Sequence, residues 1–415
     1  MTRRLLLVGA TVAAVALSGA TVAAVAVPGA TAVVCSPHPA PVTSQQADRV
    51  WDLASRRLAA QGRQSSFPFG ATGSSRLVRT SEYEWTAGFY PTSLWLVFQR
   101  TGDPEWLARA RAFTDQVATT ATLRSNHDLG FMVGMPTGLG AALDPDPARR
   151  VAYARAHDTA ARSLSTRWNA AVGALKSATY SGRWGLIIDS AMNAPLLIET
   201  DEPRLRARGV RHMRTLATDF VRANGSTVHR QAFNPRTGRS LGVLYGQGRS
   251  TSSTWSRGQA WAINGFSRAY ALTRGEQLLA AARRTADYWI QRVPTGCVPA
   301  WDLAVPDPRE PLDSSAAAIA ADGMLQLAAA EPDPARAVGY RDYALAALGT
   351  LAAPPFVVDR GRGLLQRQAY SIPLDRREGT YVWGDAFLLS ALSRAFTGSP
   401  DLSPVVTPAA GTRHR

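Results

Sequence analysis

Two aspartates stand where ionised carboxylates are rarely left. Asp189 lies in LIIDSAMN (186–193), after three aliphatic residues and before a small, mostly apolar stretch that continues into Ala194 and Pro195. Asp128 lies in NHDLGFMVGMPTG (126–138), beside His127 and ahead of Gly130, Gly134 and Gly138. A carboxylate buried without a partner is costly, and the usual relief is a raised pKa that keeps it protonated. Asp189 therefore has either a hidden partner or a task that needs a proton. Two carboxyl groups with separated protonation states are the common equipment for sugar chemistry. Taken alone, Asp128 would serve equally well as the cap of a short helix that follows it.

Around these acids a second pattern repeats. EWTAGFYP (84–91), WSRGQAW (255–261), LDSSAAA (312–318) and YVWGDAF (381–387) each set a Trp or Asp beside small residues at the head of a helical stretch. Small residues let a backbone or a ligand come close, and Trp offers a flat apolar face with a donor on its edge. That combination suits a sugar ring, although any single one of these motifs also fits core packing or helix capping by residues such as Ser256 or Asp313.

The elements that must position these residues are helical almost throughout. Apolar residues recur at spacings of three and four in 43–61, 85–102 and 104–120, and again near 147–166, 184–199, 203–223, 255–273, 276–292, 312–330, 337–352 and 381–397, with a short candidate after Asp128. Breaks such as 233–240, 293–302 and 373–380 are rich in Gly, Pro, Asn and Asp and read as loops. Strand-like alternation is confined to short pieces such as STVHRQAF (226–233). About twelve helices without a dividing linker predict an all-α fold, an (α/α)6 barrel of six helical hairpins with apolar inner and amphipathic outer helices.

The chain has 415 residues, 46% of them hydrophobic and 19% charged, enough for a large core and unlike a disordered chain. Its net charge of +15 is carried by arginine, Lys176 being the only lysine. A GC-rich coding sequence explains such arginine usage; a polyanionic substrate explains the field. The arginines are dispersed and no nucleic-acid-binding module is present, so nucleic acid is not the expected partner. Residues 1–34 join a basic start to an apolar run containing GATVAAVA twice and the small-residue site Ala30-Thr31-Ala32. They read as a secretory signal, with an uncleaved membrane anchor as the alternative, ahead of a catalytic domain over 35–400 and a disordered tail over 401–415. Cys35 and Cys297 belong to no metal-ligand pattern, and the sequence leaves open whether they pair.

In this order, HDLGF, LIIDSAMN, STVHRQAFNPRTG, GQGRSTSSTWSRGQAWAINGF and WGDAF resemble the unsaturated glucuronyl hydrolases of glycoside hydrolase family 88, from roughly Trp85 to Arg394. The resemblance implies an (α/α)6 barrel that removes a 4,5-unsaturated uronic acid, glucuronyl or iduronyl, from the non-reducing end of lyase-generated oligosaccharides. It implies Asp189 as general acid and then base, with Asp128 as the supporting carboxylate. His127 travels with Asp128; His229 and Gln247 match positions lining the sugar, and Trp261 and Trp85 match sugar-facing aromatics. Arg257 matches a site position that would either meet the uronate or hold a site carboxylate ionised. Neither metal nor organic cofactor is expected, because hydrating an activated double bond needs only acid and base. No stable protein partner is implied.

This chain departs from the family pattern at Ala178, where many relatives carry an aromatic, and in QRQAYSIPLDRREGT ahead of WGDAF, a stretch that differs widely among relatives. The aglycone is therefore not legible. Two other readings stand beside the first: a hydrolase of unsaturated galacturonyl-rhamnose from pectin, and a secreted, catalytically silent glycan-binding protein.

Overall fold

Asp-Pro or Glu-Pro starts mark four outer helices. Pro104–Ala118, Pro147–Ser165 and Pro334–Leu351 are each preceded by an aspartate, Asp103, Asp146 or Asp333, whose side chain accepts a backbone N–H of the first turn, and Pro203–Asp219 begins after Glu202. Proline suits the first helical position because its missing N–H would have had no intrahelical partner. With Ser44–Gln61 and Glu276–Arg292 these helices form the outer ring. The inner ring comprises Phe89–Thr101, Met135–Leu143 with the preceding turn Gly130–Gly134, the short pair Ser190–Asn193 and Pro195–Ile198, Ser256–Thr273, Ser314–Ala330 and Val382–Thr397. Ser256–Thr273 is buried on every face as far as Tyr270, as the inside of such a ring requires.

The architecture, seen in a computed structural model that describes residues 23–25, 32–61, 66–72, 76–307 and 309–397, is the expected (α/α)6 barrel. Most of the expected signal segment, and the whole of the expected 401–415 tail, lie outside the described residues. Ala32 and the strand Val33–Cys35 belong to the folded body, ahead of the expected boundary at Cys35. The strand pairs with Cys297–Pro299 and, on its other side, with Ala23–Val25. Ala32 exchanges backbone hydrogen bonds with Val305 and Ala300, and a disulfide joins Cys35 to Cys297. The pairing left open by the sequence is thus made. No described helix is long and apolar enough to cross a membrane.

The β content departs from expectation. One sheet has the order Ser240–Leu244, Arg230–Phe233, Arg183–Ile187, Ala178–Tyr180, all antiparallel, and a second has the order Gln368–Ser371, Asp375–Tyr381, Phe67–Thr72, Val78–Thr80. The predicted helix over 184–199 therefore begins as strand, as far as Ile187, and the predicted loop over 373–380 is mostly strand. Leu186-Ile187-Ile188 is too short an apolar run for its period to separate strand from helix, and pairing with Arg230–Phe233 decides the matter. Both sheets lead into inner helices: Arg183–Ile187 runs into Asp189, and Asp375–Tyr381 into Val382–Thr397.

The helix caps are the most separable contribution to stability. Asp333→Ala should cost about 1 kcal/mol, because two N–H groups of the first turn, those of Ala335 and Arg336, lose their acceptor. Chemical denaturation would measure it, and an unchanged midpoint would show that water replaces the cap.

Candidate active site

Asp189 reaches its position because a strand ends just before it. Ile188 donates its N–H to the carbonyl of His229 at 3.0 Å, extending the pairing of Arg183–Ile187 with Arg230–Phe233, and the chain then turns into the helix Ser190–Asn193. The sheet thereby sets Asp189 and His229 side by side. His229 Nδ1 accepts the backbone N–H of Gln247 at 2.8 Å, so the ring proton is on Nε2, which faces Asp189 Oδ2 across 3.8 Å. Both of these facing atoms are buried and have no hydrogen-bond partner.

Asp128 comes from another part of the ring and is held by an amide. Asn193, one helical turn beyond Asp189, donates Nδ2–H to Asp128 Oδ1 at 3.0 Å and to the Asp189 carbonyl at 3.3 Å, while its Oδ1 accepts the N–H of Phe131 at 3.1 Å. Gly130 makes this approach possible: a Cβ there would lie 2.6 Å from the Asn193 Cα. His127 Nε2 stands 3.4 Å from the other oxygen of Asp128.

Burial governs the charges. It pushes Asp189 up to about 6, with Asp128 adding to the rise and His127 and Arg257 opposing it. It pushes Asp128 up to about 7, with Glu84 adding and the Asn193 amide and Arg167 opposing. The same desolvation lowers His127 to about 4 and His229 to about 3, so both imidazoles are neutral near pH 7. On the acidic side of neutrality the site thus offers a carboxyl pair that retains protons, flanked by uncharged rings.

Arg257 is held by protein groups. It is only 1% exposed, and its Nη groups donate to Asp313 Oδ2 at 2.8 Å, to the carbonyls of Ala369 and Tyr370 and to Gln247 Oε1 at 3.2 Å. The guanidinium also lies over Trp255 and Trp383, with centroids at 4.6 and 5.3 Å. It is a frame residue: it locks Gln247, whose N–H orients His229, and opposes the rise at Asp189 through its field. Trp261, expected to face sugar, is fully buried against Phe131 and Phe387 at 5.0 and 5.3 Å, so it supports the site from within the core. Trp85 is partly exposed and meets Trp383 at 5.2 Å.

The eight expected residues therefore divide. Asp189, Asp128, His127 and His229 converge through the contacts above; Gln247 and Arg257 orient them; Trp85 and Trp261 belong to an aromatic cluster with Phe131 and Trp383. Sequence reasoning passed over Asn193, although an amide four residues after Asp189 shares its helical face. Tyr180 and Arg230 were also missed. The Arg230 guanidinium stacks on the Tyr180 ring at 4.0 Å, and Tyr180 is within electrostatic reach of both acids. Among the described residues, no cluster of three His, Cys, Asp or Glu could hold a metal ion.

Comparison with known proteins points the same way. No family model matches the chain. It is 31% identical over 361 residues to the unsaturated glucuronyl hydrolase of Bacillus sp. (strain GL1), covering 80% of this chain and 91% of that protein. It is 29% identical to the unsaturated chondroitin disaccharide hydrolase of Streptococcus pyogenes serotype M1, covering 86% of this chain and 92% of that one. A crystal structure of an unsaturated glucuronyl hydrolase specific for heparin superposes with a TM-score of 0.80 at 25% identity, over 87% of this chain and all of that one.

The raised carboxyl has a measurable consequence for stability. A group whose folded pKa exceeds its unfolded value, here about 6 against 3.8, stabilises the fold fully at low pH and loses that contribution as pH rises through about 6. Asp189→Asn, which cannot ionise, should therefore be more stable than the parent at pH 8 by roughly 1–3 kcal/mol, with the gain vanishing near pH 4. Thermal unfolding at the two pH values tests this; a difference independent of pH would contradict burial as the cause.

Proposed function

The chain belongs to the unsaturated glucuronyl hydrolase family, and we propose that Asp189 carries its chemistry: acid–base hydration of the C4=C5 bond in a 4,5-unsaturated uronic acid at the non-reducing end of an oligosaccharide. The observation that carries the assignment is the unpartnered Asp189 Oδ2, buried, held up to about 6 and facing the Nε2–H of His229.

The substrate contains a vinyl ether conjugated to a carboxylate. Asp189, protonated, delivers its proton to C4, and positive charge develops at C5 and the ring oxygen. The carboxylate left behind takes a proton from water as that water adds to C5, so Asp189 ends each cycle as it began. The resulting hemiketal opens and releases the aglycone. No bond to the enzyme forms, so the distance rules for retaining and inverting glycosidases do not apply.

The neighbours have defined tasks in this reading. Asp128, whose Oδ1 accepts the Asn193 amide, is itself raised to about 7, so the two carboxyls compete for a proton; negative charge on Asp128 raises Asp189, whose open Oδ2 is the oxygen placed to deliver it. His229, neutral with its proton on Nε2, donates to water or to a sugar oxygen between itself and Asp189. His127 keeps a neutral imidazole against Asp128. Trp85, on the exposed side of the aromatic cluster, is the ring available to a sugar.

The class of aglycone is the finer part of the proposal. Relatives are named for glucuronyl and chondroitin disaccharide hydrolysis, and a similar structure is of a heparin-specific enzyme, which supports an acidic, glycosaminoglycan-like oligosaccharide. The basic net charge fits the same class. The apolar N-terminal run with its basic start supports an export signal, and with it action outside the cytoplasm.

Incubation with unsaturated disaccharides from chondroitin, hyaluronan and heparin should abolish the ultraviolet band of the conjugated double bond, and Asp189→Asn should lower turnover by at least about a thousandfold, a general acid and base being lost together. Near-parental rates in that variant would remove Asp189 from the role. The pH profile gives an independent check: kcat/KM should fall as pH rises through about 6 to 7, and Asp128→Asn should move this limb to lower pH, because the charge that raises Asp189 is gone. A limb that stayed in place would show that the two carboxyls are not coupled.

A further inference from the structure

Away from the carboxyl pair, five arginines share one cavity. It has a volume of about 430 Å³ and lies between the helix Ser44–Gln61, the strand Val78–Thr80 and the segment 359–362; its charged lining is Arg56, Arg57, Arg76, Arg79, Arg362 and Asp359. The single aspartate is already engaged, since Asp359 Oδ1 accepts Arg49 Nη2–H at 2.8 Å. None of these residues belongs to the site described above.

Two of the guanidinium groups are fixed in place. Arg57, 7% exposed, donates Nη1–H to the carbonyls of Gly363 and Leu364 at 2.7 and 3.2 Å and Nη2–H to that of Val358. Arg79 donates to Ser66 Oγ at 2.7 Å and to the Gln61 carbonyl at 2.9 Å. The other three, Arg56, Arg76 and Arg362, are exposed and make no side-chain hydrogen bond or ion pair among the described residues. Burial is the main cause that disfavours the Arg57 cation; Arg56 and Arg49 add to it, and Asp385 and Asp359 oppose it. Leu53, Ala60 and Leu77 add apolar wall to the same cavity.

We propose that this cavity is a second saccharide site, in which the arginines take a sulfate or carboxylate group of an acidic oligosaccharide while the apolar wall receives the face of its ring. Guanidinium forks match both anions with paired hydrogen bonds, those of Arg56, Arg76 and Arg362 are open beside two fixed cations, and the volume lies within the range of small-ligand sites, about 300–1,000 Å³. The choice of an acidic sugar over another anion rests on the function proposed above. Such a site would hold the enzyme on the polyanion from which its substrates are released.

The test is calorimetric titration of the full chain with a saturated, sulfated heparin tetrasaccharide, which has no C4=C5 bond to hydrate, and separately with sodium sulfate. Binding should weaken steeply with salt, and the combined variant Arg56→Ala, Arg76→Ala, Arg362→Ala, three exposed positions, should bind the tetrasaccharide at least about tenfold less tightly. Its turnover of an unsaturated disaccharide and its thermal midpoint should match the parent. Equal binding by parent and variant would overturn the site. Sulfate binding as tightly as the tetrasaccharide would overturn the saccharide as its ligand. Absence of turnover in the parent would count against the proposed reaction and leave the titration contrast readable by itself.

Discussion

One amide holds the active centre together. Asn193 spans Asp128, the Asp189 carbonyl and the Phe131 N–H, and so joins the two inner-ring segments that bring the carboxyls. Without that bridge, two desolvated acids would have only repulsion between them when ionised. With it, one of the pair has a donor that favours its anion and the other keeps an open oxygen, which is an asymmetry that a proton donor needs. Gly130 belongs to the same constraint, because a side chain there would occupy the space of Asn193.

Around this bridge the sheets and the buried ion pair do the positioning. The sheet built on Arg183–Ile187 and Arg230–Phe233 places Asp189 opposite His229, and Gln247, arriving from beyond the edge strand, fixes the tautomer of that histidine. Arg257, paired with Asp313 in the first turns of two inner helices, ties Gln247 to the carbonyls of Ala369 and Tyr370. A charge buried at this depth is tolerated because nearly every polar atom of the fork is satisfied. The arrangement also explains why a residue of the SRGQAW motif need not touch a ligand to matter to it.

Much of the fold was legible because helices announce themselves locally. The apolar period of 3.6 and the Asp-Pro starts at Asp103, Asp146 and Asp333 need only neighbours in sequence. The strands were less so: Arg183–Ile187 and Asp375–Tyr381 each pair on one side with a strand distant in the chain, Arg230–Phe233 and Phe67–Thr72. Asp189 and Asp128 were legible by chemical oddity, a carboxylate in an apolar run and one beside a glycine series. Trp261 misled, since an aromatic next to small residues reads the same whether it meets a sugar or Phe131 and Phe387.

The ring of helical hairpins, the acidic pair and the family were readable before any folding, because periodicity, caps and the order of motifs are properties of contiguous residues. Folding alone brings Cys35 to Cys297, Arg257 to Asp313, Asn193 to Asp128 and five arginines into one cavity. Each of these is a distance between residues far apart in the chain. Burial, which raises both carboxyls and silences both histidines, is likewise a property of the whole packed body and of no segment within it.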